Sequence, residues 1–160
     1  MMILAIDPGP EKSAWVVYDP DSPEPIIQAG IEENDDLILR ALNEEFEIEI
    51  DEVVIEMVAS YGMAVGASVF ETCVTIGRFV QLFSRLPVSM MYRKDVKMHL
   101  CQSMRAKDAN IRQALLDRLG PQGTKKAPGK TFGVSKDIWS ALAVAVTFAD
   151  TCPKGGTDGR

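Results

Sequence analysis

The chain has 160 residues, of which 46% are hydrophobic and 25% charged, and its formal net charge is −6. These values are typical of a globular protein with one buried core, and no apolar run approaches the ~18 residues of a membrane span. Three widely spaced cysteines without a CxxC pair argue against structural zinc and against a disulfide framework. We therefore expect a single domain over residues 1–152, a disordered tail over 153–160, and a reducing, cytoplasmic setting.

The first part of the chain predicts three strands in an antiparallel meander. Residues 3–6 form an apolar run, which the turn residues Asp7-Pro8-Gly9-Pro10 end. Residues 14–18 and 25–31 are two further β-rich runs, and the last of them is expected at the edge of the sheet.

The rest of the chain alternates helices with two more strands. The predicted elements are a helix capped by 34–36, a strand at 51–56, a loop and long helix within 61–85, a strand at 87–92, helices at 94–103 and 108–119 with Asp108 as the cap of the latter, a loop at 120–133, and a helix at 134–149. This order predicts an α/β fold with a mixed five-stranded sheet, an antiparallel meander plus parallel strands, flanked by helices.

Charge is distributed very unevenly along the chain. Residues 1–77 contain 2 Lys/Arg and 17 Asp/Glu, whereas residues 78–136 contain 13 Lys/Arg and 3 Asp. Such asymmetry indicates a polyanionic partner such as nucleic acid, although a solvated surface is the alternative at any single position. The residues expected to follow phosphates are Lys97, Arg105, Lys107, Arg112, Lys125, Lys126, Lys130 and Lys136.

Three acidic residues stand at the ends of apolar runs: Asp7, Glu56 and Asp137. If the first and fourth strands are neighbours, Asp7 and Glu56 face each other across about 4.8 Å. Asp137 is expected in the first turn of the last helix, where the helix dipole favours a negative side chain. Converging carboxylates are ligands for Mg²⁺ or Mn²⁺, and two such ions about 3.5–4 Å apart would activate a water at a phosphodiester. The alternatives are that Asp7 is only a turn residue, Glu56 a salt-bridged residue at a strand end, and Asp137 an acidic residue at a helix start.

These segments resemble known motifs. Ile3-Leu4-Ala5-Ile6-Asp7-Pro8-Gly9 is similar to the first motif of RuvC-type Holliday-junction resolvases, especially the small phage versions, Val54-Ile55-Glu56 to their second, and residues 137–147 to their last helix. The resemblance implies an RNase H-like fold and a homodimer that uses Mg²⁺ or Mn²⁺ to nick opposing strands of four-way or otherwise branched DNA. It also implies a bacterial or phage-infected host cell, with a role in recombination or in clearing branches from viral DNA.

The resemblance also assigns roles to individual residues. Lys97 and Lys107 fall where the family has basic residues near the scissile phosphate, which adds Lys107 to the catalytic candidates, and Tyr61 falls where an aromatic residue contacts opened junction bases. Ser140 occupies the place of a second acid in the last motif. A hydroxyl can bind a metal but brings no charge, so Ser140 is a possible ligand and weakened activity is an alternative.

Several other interpretations remain open. The helix near 66–85 has so few charges that it must be covered on more than one side, which makes it a candidate dimer element. Besides a resolvase, the sequence allows a non-cleaving branched-DNA-binding protein or a ribonuclease H. A phosphotransferase of the actin type would need a second similar domain. Gly129-Lys130-Thr131 lacks the spacing and preceding strand of a P-loop, so no nucleotide cofactor is expected, and His99 is interpreted as a surface or packing residue.

Overall fold

The computed structural model describes residues 1–43, 45–46 and 48–152, so the tail predicted at 153–160 lies outside the described residues. Its elements, in chain order, are β1 (Ile3–Asp7), β2 (Lys12–Tyr18), β3 (Ile26–Glu33), α1 (Asn34–Leu42), β4 (Glu52–Met57), α2 (Ala67–Leu82), β5 (Val88–Tyr92), α3 (Arg93–Cys101), α4 (Asp108–Leu119), β6 (Gly123–Thr124), β7 (Ala127–Pro128) and α5 (Ile138–Thr151). No helix of these described ranges is long and apolar enough to cross a membrane.

The main sheet has five strands in the order β3-β2-β1-β4-β5. Strand β2 is antiparallel to both of its neighbours, and β4 is parallel to both of its own. The predicted mixed sheet, its meander and the edge position of the third strand are confirmed. The first and fourth strands are neighbours, which is the condition on which the expected carboxylate pair depended.

Two apolar layers cover the sheet, because alternate residues of a strand point to opposite faces. Leu4 and Ile6 pack in a core with side chains of α1 and α2. Ile3 and Ala5 pack in the other core, with side chains of α3, α4 and α5. Asp7 continues the alternation of Ile3 and Ala5, so it projects toward the face that carries α5.

Helix α5 is buried on almost every side, because it lies between the sheet and the helices α3 and α4. Its ten buried residues run from Ile138 to Phe148. This explains why the sequence of the helix is nearly continuous in Ala, Val and Leu rather than amphipathic. The same packing brings the start of α5 to the carboxyl ends of β1 and β4.

The start of the last helix was predicted wrongly. The helix begins at Ile138, and Asp137 immediately precedes it instead of lying in its first turn. The apolar Val134 is buried outside the helix, since its carbonyl accepts a hydrogen bond of 2.7 Å from Gln122 Nε2. That bond ties the preceding segment to the β6 region, and Gly133 and Lys136 both have positive φ, which interrupts helical geometry.

Two smaller predictions in the same region were also wrong. Lys107, not Asp108, is the N-cap of α4, and Asp108 is the first helical residue. The Lys107 backbone N–H donates to Asn110 Oδ1 at 2.9 Å, so this N–H group at the helix start has a hydrogen-bond acceptor. The loop predicted at 120–133 contains the β6–β7 hairpin, whose two-residue strands are too short to produce a period-two pattern.

A cluster of three ionisable residues joins the helices α3, α4 and α5. His99 Nε2 lies 2.6 Å from Asp150 Oδ2, and Arg118 Nη2 donates to Asp150 Oδ1 at 2.6 Å. Hydrogen bonding from Arg118, and more weakly from His99, lowers the pKa of Asp150 below 3.8, although partial burial opposes this. His99, interpreted as a surface or packing residue, therefore takes part in a network between helices.

We expect Asp150→Asn to lower the free energy of unfolding by about 1 kcal/mol at pH 7. Because the pKa of Asp150 is lowered by folding, its contribution is present above the unfolded pKa of about 3.9 and is lost as pH falls through the folded pKa. Urea unfolding at pH 7 and pH 3 measures this, with Asp117→Asn on α4 as the control. A variant as stable as wild type at pH 7 would contradict the prediction.

Candidate active site

Asp7 and Glu56 lie side by side at the carboxyl ends of two parallel strands. The register pairs Ile6 with Ile55, and each acidic residue is the next one along its strand. Glu56 continues the alternation of Val54, which shares a core with Ala5, so both carboxylates project toward the same face. Ligands of α/β sheets bind outside such strand ends, which makes this edge the candidate site.

The start of α5 adds two further polar groups at this edge. The Ser140 hydroxyl and the carboxylate of Asp137 both lie close enough to act on the Asp7 carboxyl. Asp137 itself is exposed, whereas Ser140 is half-buried. The start of α5 therefore lies at the same edge of the sheet as Asp7 and Glu56.

Sequence reasoning missed two residues of this site, Arg93 and Asp108. Arg93 directly follows β5, and its Nη1 lies 3.5 and 3.4 Å from Oε1 and Oε2 of Glu56. Its Nη2 donates to Asp108 Oδ1 at 2.5 Å. The rule that singled out Asp7 and Glu56, a polar residue at a strand end, applies equally to Arg93. We call Asp7, Glu56, Arg93, Asp108, Asp137 and Ser140 together the carboxylate site.

The pKa values of both buried carboxyls are raised. Burial is the main cause of a pKa of about 6 at Asp7, with Arg93 opposing the shift and Asp137 adding to it. Burial also raises the pKa of Glu56 to about 7, and the charge of Asp7 adds to the shift while Arg93 again opposes it. Arg93 therefore compensates only part of the negative charge, and this edge of the sheet favours a further cation.

The donor chemistry of the site fits a hard divalent cation, because carboxylate and hydroxyl oxygens are the ligands that Mg²⁺ and Mn²⁺ prefer. Within residues 1–43, 45–46 and 48–152, however, no three His, Cys, Asp or Glu side chains are grouped closely enough to hold a metal ion. The buried carboxylates of Asp7 and Glu56 are thus the core of any such site, with other donors completing it.

A cleft of about 790 Å³ opens beside the carboxylate site. Arg112 and Lys136, both predicted to follow phosphates, line it together with Asp137 and Ser140. The Arg112 guanidinium lies 5.2 Å from the centre of the Trp139 ring and also donates to Gln122 at 3.1 Å. The cleft therefore offers positive charge directly next to the carboxylates.

The other predicted DNA-binding residues do not line this cleft. Lys125 and Lys126 form the turn of the β6–β7 hairpin, and most of the rest are exposed on nearby helices and loops. Arg105, Lys107 and Lys130 are exposed, and Lys97 is half-buried. Tyr61 is 55% exposed in the loop after β4, where its φ of 48° is unusual for a residue other than glycine.

The described residues form a mixed α/β domain with two acidic residues at adjacent strand ends. Among solved structures it is similar to RuvC of Thermus thermophilus, with a TM-score of 0.68, 18% identity and 93% of each chain covered. RuvC of T. thermophilus in complex with Holliday junction substrate gives a TM-score of 0.71 at 17% identity, again with 93% of each chain covered. Neither the scan against protein-family models nor the search of curated proteins gives a match. The RuvC-type fold implied by the sequence motifs is confirmed.

Proposed function

We propose that the protein is a metal-dependent endonuclease that cuts four-way or otherwise branched DNA. The observation that carries the proposal is the pairing of Asp7 and Glu56 at adjacent strand ends, with the start of α5 beside them, in the fold of RuvC. The T. thermophilus protein has been solved with a Holliday junction, and this supports the same class of substrate here. In the reaction, a water oxygen bonds to phosphorus, one sugar–phosphate P–O bond breaks, and a phosphomonoester and a hydroxyl result.

Asp7 and Glu56 would be the core ligands of Mg²⁺ or Mn²⁺, and we propose Asp137 and the Ser140 hydroxyl as the donors that complete the site. Bound metal supplies Lewis acidity and lowers the pKa of the attacking water. The ionised carboxylates of Asp7 and Glu56 are the chain's main contribution, because their oxygens are the buried donors of the site. A hydrogen bond from the Ser140 hydroxyl would favour the ionised form of Asp7.

We infer that the DNA backbone follows the basic cleft and the segments around it. Arg112 and Lys136 line the cleft, and the turn of the β6–β7 hairpin presents Lys125 and Lys126 to solvent. Contacts of this kind position the substrate without reading its sequence. We keep Lys107, the N-cap next to Asp108, as a candidate for contact with the scissile phosphate, and Tyr61 as a candidate for base stacking.

We further propose a homodimer built on α2. The inner face of this helix buries Ile76 and Phe79, but Phe70 and Val74 are 62% and 66% exposed on the outer face. Around Gly77 no atom lies within 4 Å of the place where a Cβ would stand, so another backbone can approach closely there. An exposed apolar face on a helix of this length is typical of an interface.

A reducing cytoplasm suits the three free cysteines.

The double variant Phe70→Asp, Val74→Asp is expected to be monomeric at micromolar concentration while the wild type is dimeric. Carboxylates on both chains would be buried against each other, at a cost that a dimer cannot offset. Sedimentation velocity measures the state, and Met98→Asp, an exposed apolar residue on α3, is the matched control. A wild-type chain that sediments as a monomer would refute the dimer.

A second candidate is a non-cleaving protein that binds branched DNA. Ser140 in place of a charged ligand favours it, and so does the lack of a three-residue metal cluster within the described ranges. Cleavage of a four-way junction, a linear duplex and an RNA–DNA hybrid, compared side by side in Mg²⁺ and Mn²⁺, separates the candidates. Preferential nicking of the junction supports the endonuclease, cleavage of the hybrid supports a ribonuclease H, and tight junction binding without nicking supports the second candidate.

A further inference from the structure

Arg93 is held by the fold at the centre of the carboxylate site. It is the first residue of α3 and follows β5, whose parallel register pairs Met91 with Glu56. Its side chain is 22% exposed and lies between Glu56, which is 12% exposed, and Asp108, which is 84% exposed. A permanent positive charge is thus built between a buried carboxylate and one that faces solvent.

The charge and position of the Arg93 guanidinium suit the role that a second divalent ion has in two-metal nucleases. Two-metal nucleases place two divalent ions about 3.5–4 Å apart to stabilise both the attacking and the leaving oxygens. A guanidinium is always charged and offers parallel N–H donors that fit two phosphate oxygens. The contact of Arg93 with Glu56 is long, at 3.4 Å, and its short contact is with the exposed Asp108, at 2.5 Å. A phosphate can therefore replace Asp108 as the partner of Arg93 without moving the guanidinium away from Glu56.

Within the part of the chain that the structure describes, the donors that Arg93 leaves free are too few for two divalent ions. Arg93 already engages both carboxylate oxygens of Glu56 and one of Asp108, which leaves Asp7, with Asp137 and the Ser140 hydroxyl near it, for a metal. A second ion would stand against the fixed charge of Arg93. We propose that the Arg93 guanidinium serves as the second cation of the site and contacts the scissile phosphate, so that each chain binds one divalent ion instead of two. This inference rests on the nuclease proposed above and changes the expected number of ions.

Direct metal binding tests the proposal without relying on cleavage. Mn²⁺ is titrated into the DNA-free protein at pH 8 by calorimetry, and only ions whose binding is lost in Asp7→Asn are counted. We expect one such ion per wild-type chain and two in Arg93→Met, because that variant leaves the carboxylates of Glu56 and Asp108 without their cation. Arg93→Lys should keep the single ion, since it keeps the charge. Lys12→Met, which removes the cation of an exposed ion pair with Glu33, is the matched control and should bind as wild type does.

Junction cleavage gives the second measurement. Arg93→Met is expected to cleave about 10²-fold more slowly than wild type at saturating Mg²⁺, with part of the rate regained at high Mn²⁺ as the second ion fills the vacated position. Two site-specific ions per wild-type chain, or an unchanged ion count in Arg93→Met, would overturn the inference while leaving the nuclease intact. A wild-type chain that binds one ion but never nicks DNA would refute the nuclease and with it the role of Arg93 at the phosphate. Arg93→Lys and the wild-type ion count keep the test decisive if Arg93→Met does not fold.

Discussion

Asp7→Asn is expected to reduce nicking of a four-way junction by about 10³-fold or more, while binding of the junction in Ca²⁺ stays within a few-fold of wild type. Asn keeps the size and one oxygen of Asp7 but removes the charge that a divalent cation needs. Asp7 also interacts with Ser140, Asp137 and Glu56, so its loss affects every donor of the proposed metal site. Single-turnover cleavage and gel-shift titration measure the two quantities.

The matched control is Asp36→Asn, which removes an exposed carboxylate from the first turn of α1. It should cleave as wild type does. Junction cleavage by Asp7→Asn within tenfold of the wild-type rate would contradict the assignment of the site. Loss of junction binding together with cleavage would instead indicate a damaged fold, which thermal unfolding of the same variant would reveal.

Glu56→Gln is expected to stabilise the metal-free protein at pH 8 by about 1–3 kcal/mol, although it abolishes cleavage. Folding raises the pKa of Glu56 from 4.5 to about 7, and each pKa unit corresponds to about 1.4 kcal/mol. Between these two values the folded chain binds more protons than the unfolded chain, so this contribution to stability falls as pH rises from 4.5 to 7. Glutamine removes the cost of holding a buried charge.

Urea unfolding at pH 5 and pH 8 in EDTA checks this expectation. The variant should gain most over wild type at pH 8 and little at pH 5, where the Glu56 carboxyl is mostly protonated in the fold. Glu52→Gln, at the opposite end of β4, is the control for losing a carboxylate from this strand. Equal stability of Glu56→Gln and wild type at pH 8 would contradict the raised pKa. Cleavage by the wild type should fall as pH drops through 7 and 6, because protonated carboxyls bind metal poorly.

The sequence predicted the sheet well because its signals are local. Strands β1 and β2 are short apolar runs followed by turn residues, and β4 and β5 are apolar runs separated by a helical segment, which is the pattern of a crossover between parallel strands. Asp7 and Glu56 were found for the same reason, since a charged residue that ends a buried run is visible without a structure. Their proximity then required only that the two strands be neighbours.

The features of the site that were not predicted from the sequence depend on tertiary contacts. Arg93 was interpreted as one positive charge among thirteen, and only the register of β5 with β4 places its guanidinium against Glu56. Asp108 was predicted to be a helix cap, which hid its ion pair with Arg93. The start of α5 was extended too far because Val134 looks helical, whereas a hydrogen bond from Gln122 holds it in a buried turn.

Mapping of the cuts in a synthetic four-way junction tests the central claim most directly. The wild-type chain is incubated with strand-labelled junction and with linear duplex of the same sequence, in Mg²⁺ or in EDTA. The nuclease proposed here predicts paired nicks at symmetric positions in opposing strands, in the junction only and only with metal. Intact junction strands in Mg²⁺ and in Mn²⁺, despite a stable protein–junction complex, would contradict it.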